Sequence, residues 1–252
     1  SLVYNRENAA AVAGFYSVGD TWTESTPTFT KVVSSLVILG GDADVDNYIR
    51  QTRSNVQDIE AAVIELKAKA VRQKFEDTFI NGDITADAKS FDGLARLVTS
   101  GQTVSMGTNG ATLTLAKLDE LIDKIMGGKP DLLLMSKRSR RKLKTLRYAT
   151  GSALETEVNQ FGRRITYYDG IPIGVSDWQS DAETQGSTSD DSSIWAVSFG
   201  EGAMAGLNNG GLQVENIGTL ETKDATRRRI KWYCGLALFS TLKLARLLGV
   251  RD

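Results

Sequence analysis

The strongest periodic signal in the chain is helical. From about Asp58 to Ile80, apolar residues fall at Ile59, Val63, Leu66 and Ala70, then drift to Val71, Phe75 and Phe79, the spacing of an amphipathic helix. Asn55 reads as its N-cap, with Asp58 three residues on, and Asn81-Gly82 as a left-handed stop. Glu65 with Lys69, and Arg72 with Glu76, stand i to i+4 and predict a salt-bridged outer face. At roughly 1.5 Å per residue the element would span about 33 Å. Upstream, TFTKVVSSLVILGG from Thr28 is rich in threonine, valine and isoleucine and alternates around Phe29, Lys31 and Val33, which predicts a strand. AAAVAGFYSV (residues 9–18) and GDTWTESTPT with Pro27 read as an extended arm and a loop.

Downstream the pattern changes repeatedly. INGDITADAKSFDGLARLV is a loop anchored by Phe91, Leu94 and Leu97, and GQTVSMGTNGAT (101–112) reads as a polar linker and the best internal boundary. A second amphipathic helix is predicted at about Leu115–Met126, with Leu118, Leu121, Ile122 and Ile125 on one stripe and Gly127-Gly128 and Pro130 as its end. DLLLMS is a short buried strand whose Ser136 caps a third helix, KRSRRKLKTLR. RITYYDGIPIGVSD has the form of a hairpin around Asp169-Gly170. QSDAETQGSTSDDSS (179–193) is acidic and hydroxyl-rich and is expected to be a mobile surface loop. IWAVSF and LQVEN are strands around a glycine-rich bend. The chain closes on a long strand in which Ile230, Trp232, Cys234, Leu236 and Leu238 share one face.

Composition narrows the chemistry. The 252 residues fit one large domain or two modest ones, and 41% hydrophobic residues are enough to fill a core. Thirty basic and 31 acidic residues leave a net charge of -1, against a dedicated nucleic-acid binder. A single cysteine excludes internal disulfides and four-cysteine zinc sites. There is no histidine, which excludes serine–histidine and cysteine–histidine nucleophile pairs, histidine metal ligands and imidazole acid–base chemistry. No apolar run approaches the roughly 18 residues of a membrane span; the longest candidate is broken by Lys243 and Arg246. SLVYNRENAA has neither an initiator methionine nor the order of a signal peptide, so a soluble, non-secreted chain, trimmed or cut at its start, is expected.

Individual motifs carry little. Lys137–Arg147 holds seven cations in eleven residues. A phosphate-contacting patch through Arg138, Arg140, Arg141 and Lys144 is one reading. A solvated face meeting acidic neighbours is the other, favoured because no aromatic residue interleaves with the cations. Arg227, Arg228 and Arg229 suit an inter-subunit ion pair as well as nucleic-acid contact. GEGAMAGLNNGG (200–211) lacks the GK[ST] of a phosphate loop and reads as a turn. Asp42, Asp44 and Asp46 imitate the start of a calcium loop, but the required glycine and glutamate are missing; capping or turn roles are expected. Cys234 reads as a buried small hydrophobe.

The order of parts is more telling than any motif. TPTFTKVVSSLVILGGDADVDN leading into the long helix, then FINGD and FDGL, the hairpin DGIPIGVSD and the closing CGLALFSTLKLARLLGV together resemble the tailed-phage major capsid protein family, with its α+β Hong Kong 97-type fold. The resemblance implies an N-terminal arm (1–15) and an extended loop (16–40). It implies a peripheral domain (41–110 and 219–252) with spine helix 58–80, and an axial domain (111–218). It places Trp22, Phe29, Lys31 and Val32 in a subunit interface of the extended loop, and Glu221, Lys223, Arg227 and Arg228 in one of the peripheral loop. The loop exposes apolar and backbone groups that a second copy would cover. The family type member links subunits through lysine and asparagine. Here no lysine precedes Lys31 and no asparagine lies near Arg228–Lys231, so an uncrosslinked shell is implied. The implied partners are further copies in pentamers and hexamers, packaged double-stranded DNA held without sequence specificity, and portal, scaffold or cement proteins, with no membrane and no cofactor. The implied place is the virion, assembled in the host cytoplasm. A second reading is an encapsulin-type shell around a protein cargo, although the small-residue arm makes a poor N-terminal helix. A hydrolase or transferase is disfavoured by the missing histidine and phosphate loop.

Overall fold

A computed structural model describes every residue except 10–11, 25–27, 54–57, 159–161 and 163. In chain order the first elements are β1 (Leu2–Ala9), β2 (Thr28–Ser34), β3 (Val37–Asp46), α1 (Asn47–Arg53), α2 (Ile59–Asn81) and the single turn α3 (Leu94–Leu97). The middle supplies β4 (Thr103–Ser105), β5 (Ala111–Thr112), α4 (Leu115–Asp123), β6 (Leu132–Met135) and α5 (Lys137–Ala149). The rest is strand: β7 (Glu155–Val158), β8 (Arg164–Tyr168), β9 (Ile171–Val175), β10 (Glu183–Gln185), β11 (Thr188–Val197), β12 (Met204–Thr219), β13 (Ala225–Leu238) and β14 (Leu244–Arg251). The architecture is α+β. Two compact units form, one from residues 1, 34–93 and 206–236, the other from 2–33, 94–205 and 237–252. These divisions differ from the expected cuts at 110/111 and 218/219. The closing segment shows why: β14 is an inner strand of the second unit's sheet and not the end of the first unit's.

In the first unit, α2 packs on a three-stranded sheet of order β12-β13-β3. Its N-cap is Asp58, whose carboxylate accepts from the Ala61 N–H at 3.1 Å; Asn55 lies outside the described residues. Arg72 pairs with Glu76 at 2.8 Å as the spacing predicts. The C-terminus does not end as expected, because Gly82 sits at φ -57°, ψ 135°, outside the left-handed region. Glycine is needed there for room: a Cβ would lie 2.3 Å from the Phe91 carbonyl oxygen and 2.5 Å from that of Thr78. The chain returns over this point through Gly93, whose N–H donates to the Gly82 carbonyl at 2.9 Å. Phe75 gathers Phe91, Phe79 and Trp232, with ring centroids 5.7, 6.3 and 4.6 Å away.

Trp232 thereby fixes which face of β13 meets the helix. By the twofold alternation of a strand, Ile230 and Cys234 share that buried face, and Arg227, Arg229 and Lys231 point the other way. The register of β13 against β3 sets Arg227 opposite Asp44 and Arg229 opposite Asp42. Arg227 donates to both Asp44 oxygens at 2.6 and 2.8 Å, and Arg229 to both of Asp42 at 2.7 and 3.0 Å. Lys223 adds a contact to Asp44 at 2.5 Å and Lys231 one to Glu215 at 2.5 Å. Asp42 and Asp44 are thus cross-strand partners of arginines and not caps. Only Asp46 caps, accepting from the Tyr48 N–H at 2.8 Å.

The second unit is built on a nine-stranded sheet, β4-β14-β11-β6-β9-β8-β7, with β10 on β11 and β5 on β14. Thr114 and Ser136 cap α4 and α5 as N-terminal acceptors. These helices bury Leu118, Leu121, Ile122 and Leu143 against Leu133, Met135, Ile194, Ala196 and Leu247. Each fully buried leucine contributes about 1.5–3 kcal/mol. The hairpin turns at Asp169 (φ 50°) and Gly170 (φ 76°), both left-handed as its two-residue loop requires.

Two segments of this unit depart from expectation. Residues 101–112 are not a linker: β4 and β5 pair in parallel with β14, and Val104 is buried. Residues 179–193 are not a surface loop either. They form β10 and the start of β11, with Gln179, Asp191, Ser192 and Ser193 buried. Each finds a partner, as buried polar groups require. Gln179 accepts from the Trp195 indole N–H at 2.6 Å, and Ser193 donates to Glu183 at 2.5 Å while accepting from Arg246 at 2.9 Å. Asp191 accepts from Arg251 at 3.0 Å and from the Thr188 hydroxyl at 2.6 Å. Polar side chains thus cover the face bearing Trp195, with Arg246 4.9 Å over its ring.

Adjacent aspartates should therefore behave differently in denaturant titrations. Asp191→Ala removes the buried acceptor of the Arg251 Nε–H, leaving Thr188 to its backbone acceptors and Arg251 to Asp190, and is expected to cost about 2 kcal/mol. Asp190→Ala, at a side chain 67% exposed, should stay within about 0.5 kcal/mol. Equal effects would contradict the buried network. The cross-strand ladder also carries a pH signature. The Arg227 and Arg229 hydrogen bonds hold the Asp44 and Asp42 carboxyls below their ordinary range. Their contribution is complete above the ordinary carboxylate pKa of about 3.9 and is lost as pH falls through the lower folded values. The thermal-midpoint gap between the native chain and Asp44→Asn should be constant from pH 8 to 5 and shrink below about pH 4. A gap that widens on acidification would refute the ladder.

Candidate functional site

Among the described residues no cluster of histidine, cysteine or carboxylate side chains could hold a metal ion, and no helix is long and apolar enough to cross a membrane. Cys234 is buried, and desolvation pushes its thiol pKa up to about 11, far from a nucleophile at neutral pH. Of the glycine-rich segment 200–211, expected to be a turn, only 200–203 turn, with Gly200 donating its N–H to the Met204 carbonyl at 3.1 Å; from Met204 onward it is strand β12. The features that stand out are surfaces.

The first is the loop between β1 and β2. Its tip is a small built knob. Tyr16 and Trp22 stack with ring centroids 4.2 Å apart and planes at 19°. Between them Ser17 donates its N–H to an Asp20 carboxylate oxygen at 2.6 Å, Asp20 donates back to the Ser17 carbonyl at 3.1 Å, and Gly19 takes φ 91°. The knob shows its apolar groups to solvent. Phe15 and Val18 are fully exposed and Trp22 is 76% exposed. On β2, Phe29 and Val33 are more than half exposed and share a face with exposed Lys31. Val32, expected beside them, is half-buried on the opposite face.

The base of this loop is held by its own chain. β1 pairs with β2, and Asn8 donates to the Thr30 hydroxyl at 2.6 Å. Glu7 donates its N–H to the Phe239 carbonyl at 2.9 Å, Arg6 donates to the Leu238 carbonyl at 3.0 Å, and Tyr4 packs on Phe239 with centroids 4.7 Å apart. The expected extended arm is a paired strand over residues 2–9, and the exposed apolar surface at Phe15, Val18 and Trp22 lies beyond it.

The other predicted residues are placed less freely. Of the peripheral set, Glu221 is exposed, Lys223 and Arg227 are spent on Asp44, and Arg228 reaches Glu60 at 2.5 Å. The charge of Arg227–Arg229 is thus met by ion pairs within the chain. The missing signal was the Asp42, Asp44 and Glu60 counter-charges, which lie more than 160 residues away in sequence. On α5, Arg138 is also committed: it donates to the carbonyls of Asp190 at 2.7 Å and Val250 at 3.2 Å and lies 3.6 Å from Asp181. Arg140, Arg141 and Lys144 are exposed.

Comparison with solved structures places this architecture. The chain superposes on the holo-SrpI encapsulin complex from Synechococcus elongatus PCC 7942 with TM-score 0.73 at 20% identity, covering 98% of this chain and 82% of that one. It matches the capsid of an empty GTA particle with TM-score 0.69 at 15% identity, over 99% and 84%. A chain of Mycobacterium phage Ogopogo matches with TM-score 0.64 at 16% identity, over 99% and 87%. At such identities these likenesses establish the fold, the Hong Kong 97-type α+β fold. No curated protein matches. The model of the SU10 major capsid protein family matches residues 23–251, from just past the Tyr16–Trp22 knob to the end of β14. By that match, over nearly its whole length, the chain belongs to the SU10 major capsid protein family.

Proposed function

We propose that copies of this chain close into the icosahedral head of a tailed phage or prophage, arranged as pentamers and hexamers around double-stranded DNA. The observation that carries this reading is the apolar loop on a family member whose base is pinned to its own chain. Phe15, Val18, Trp22 and Phe29 stand in water on a single copy, an arrangement a solitary molecule rarely keeps. Burial across a neighbour removes that surface from water, and many modest repeated contacts sum to a stable shell. The near-zero net charge limits self-repulsion among packed copies. The absence of histidine supports a structural, non-catalytic role.

In this reading residues 1–15 and 16–40 act as arm and extended loop, the unit built on α2 acts as the peripheral domain, and the unit built on the nine-stranded sheet acts as the axial domain. Assembly takes place in the host cytoplasm, with portal, scaffold or cement proteins as further partners. The subunits are held without covalent links, since the loop tip at residues 16–27 carries no lysine. The encapsulin likeness favours one second reading, a shell around a protein cargo. Particle contents separate the two.

Electron microscopy of the expressed protein should show closed shells. The double variant Trp22→Ser, Phe29→Ser should keep the native circular-dichroism spectrum and thermal midpoint but lose shells at least tenfold in yield. Small oligomers from the native chain, or full assembly by the variant, would overturn the proposal. Denaturing electrophoresis of native particles should give one band at the monomer position. A ladder of linked oligomers would contradict the uncrosslinked shell.

A further inference from the structure

Helix α5 carries seven cations and no acidic residue between Lys137 and Arg147, and the fold neutralises only part of that charge. Lys137 meets Asp177 at 2.5 Å, Arg138 is tied to Asp181 and two carbonyls, and Arg147 lies 5.6 Å over the Tyr168 ring. Arg140, Arg141, Lys142 and Lys144 have no acidic partner among the described residues. The helical repeat sorts them. Ser139 and Leu143 are buried, and at 100° per residue Lys137, Arg141, Lys144 and Tyr148 fall on the opposite face, with Arg140 on its flank. Tyr148 is 59% exposed, and Lys144 sits 5.6 Å from its ring centroid. The aromatic group missing from the interior of the basic run is therefore supplied by the turn that follows it.

This arrangement opposes the helix that displays it. Arg140 with Lys144, and Lys137 with Arg141, are like charges at i and i+4, which repel. The first turn holds no acidic residue, so cations crowd the end where the helix dipole is already positive. An anion laid along the face relieves both repulsions. We propose that the Arg140–Arg141–Lys144 face of α5, with Tyr148 at its end, binds the phosphate backbone of double-stranded DNA. The proposal rests on the reading that the shell encloses DNA, and it assigns the contact to a set without Arg138. Binding of this kind is independent of sequence and releases counterions, so its affinity falls steeply with salt.

The test is fluorescence anisotropy of a 20-base-pair duplex with the full-length protein between 50 and 200 mM salt. Each phosphate contact contributes about 0.9 to the slope of log K against log salt. Arg140→Gln, Arg141→Gln, Lys144→Gln should therefore lower that slope by about 2 to 3, alike on duplexes of different sequence. The thermal midpoint should stay the same or rise, because repulsion is removed. A control with the same charge change elsewhere, Arg72→Gln, Lys89→Gln, Lys117→Gln, should leave the slope within about 1 of native. An unchanged slope in the α5 variant, a fall in its midpoint, or tighter binding to polyglutamate than to DNA would overturn the assignment. Shell formation by the same variant, scored by electron microscopy, keeps the readings apart: shells with an unchanged slope defeat only the α5 assignment, whereas absence of shells from the native chain defeats the capsid reading.

Discussion

The proposed assembly rests on one imbalance: an apolar knob that its own chain builds but does not cover. The Tyr16–Trp22 stack and the Ser17–Asp20 turn give the tip a definite shape. The same geometry leaves Phe15 and Val18 in solvent. A flexible polar loop would cost less to leave exposed, and a collapsed one would bury its aromatics at home. In the proposed shell, this shaped, apolar and exposed tip is one half of a contact between copies. β1 adds to this by fastening the loop's base to Leu238, Phe239 and Thr241. The ordering entropy of the base is then met before association and not during it.

The two units solve their internal problems with different physics. The first relies on aromatic packing beneath the sheet, centred on Phe75, and on an arginine–aspartate ladder above it. The alternation of β13 separates the two, one residue in two serving each. The second relies on an aliphatic core between sheet and helices, and on a buried polar layer over the face that carries Trp195. Such a layer is costly unless every member is paired. Arg246 and Arg251, both from β14, complete it.

What the sequence made legible was local. The spine-like α2, both capped helices, the Asp169-Gly170 hairpin and the alternation of β13 are written in spacings of two to four residues. Misreadings arose wherever a residue's role is set by a distant partner. Residues 179–193 have the composition of a solvated loop, and only Arg246 and Arg251, more than 50 positions on, make their burial tolerable. Gly82 looked like a helix stop, whereas its reason is the approach of Phe91. The Arg227–Arg229 run gives no local hint of its intrachain partners, because Asp42, Asp44 and Glu60 lie at the other end of the chain. Of the loop residues, Trp22, Phe29 and Lys31 were legible as exposed, and Val32 was not, because strand alternation carries it to the covered face.

The account turns on where the knob's apolar surface goes, and hydroxyl-radical footprinting of Trp22 and Phe15 reads this directly. Both residues should be modified rapidly in dissociated chains and at least tenfold more slowly in assembled particles, with Tyr48, far along the chain and exposed, as an internal reference. Equal labelling in the two states, or protection already present in the single chain, would contradict it.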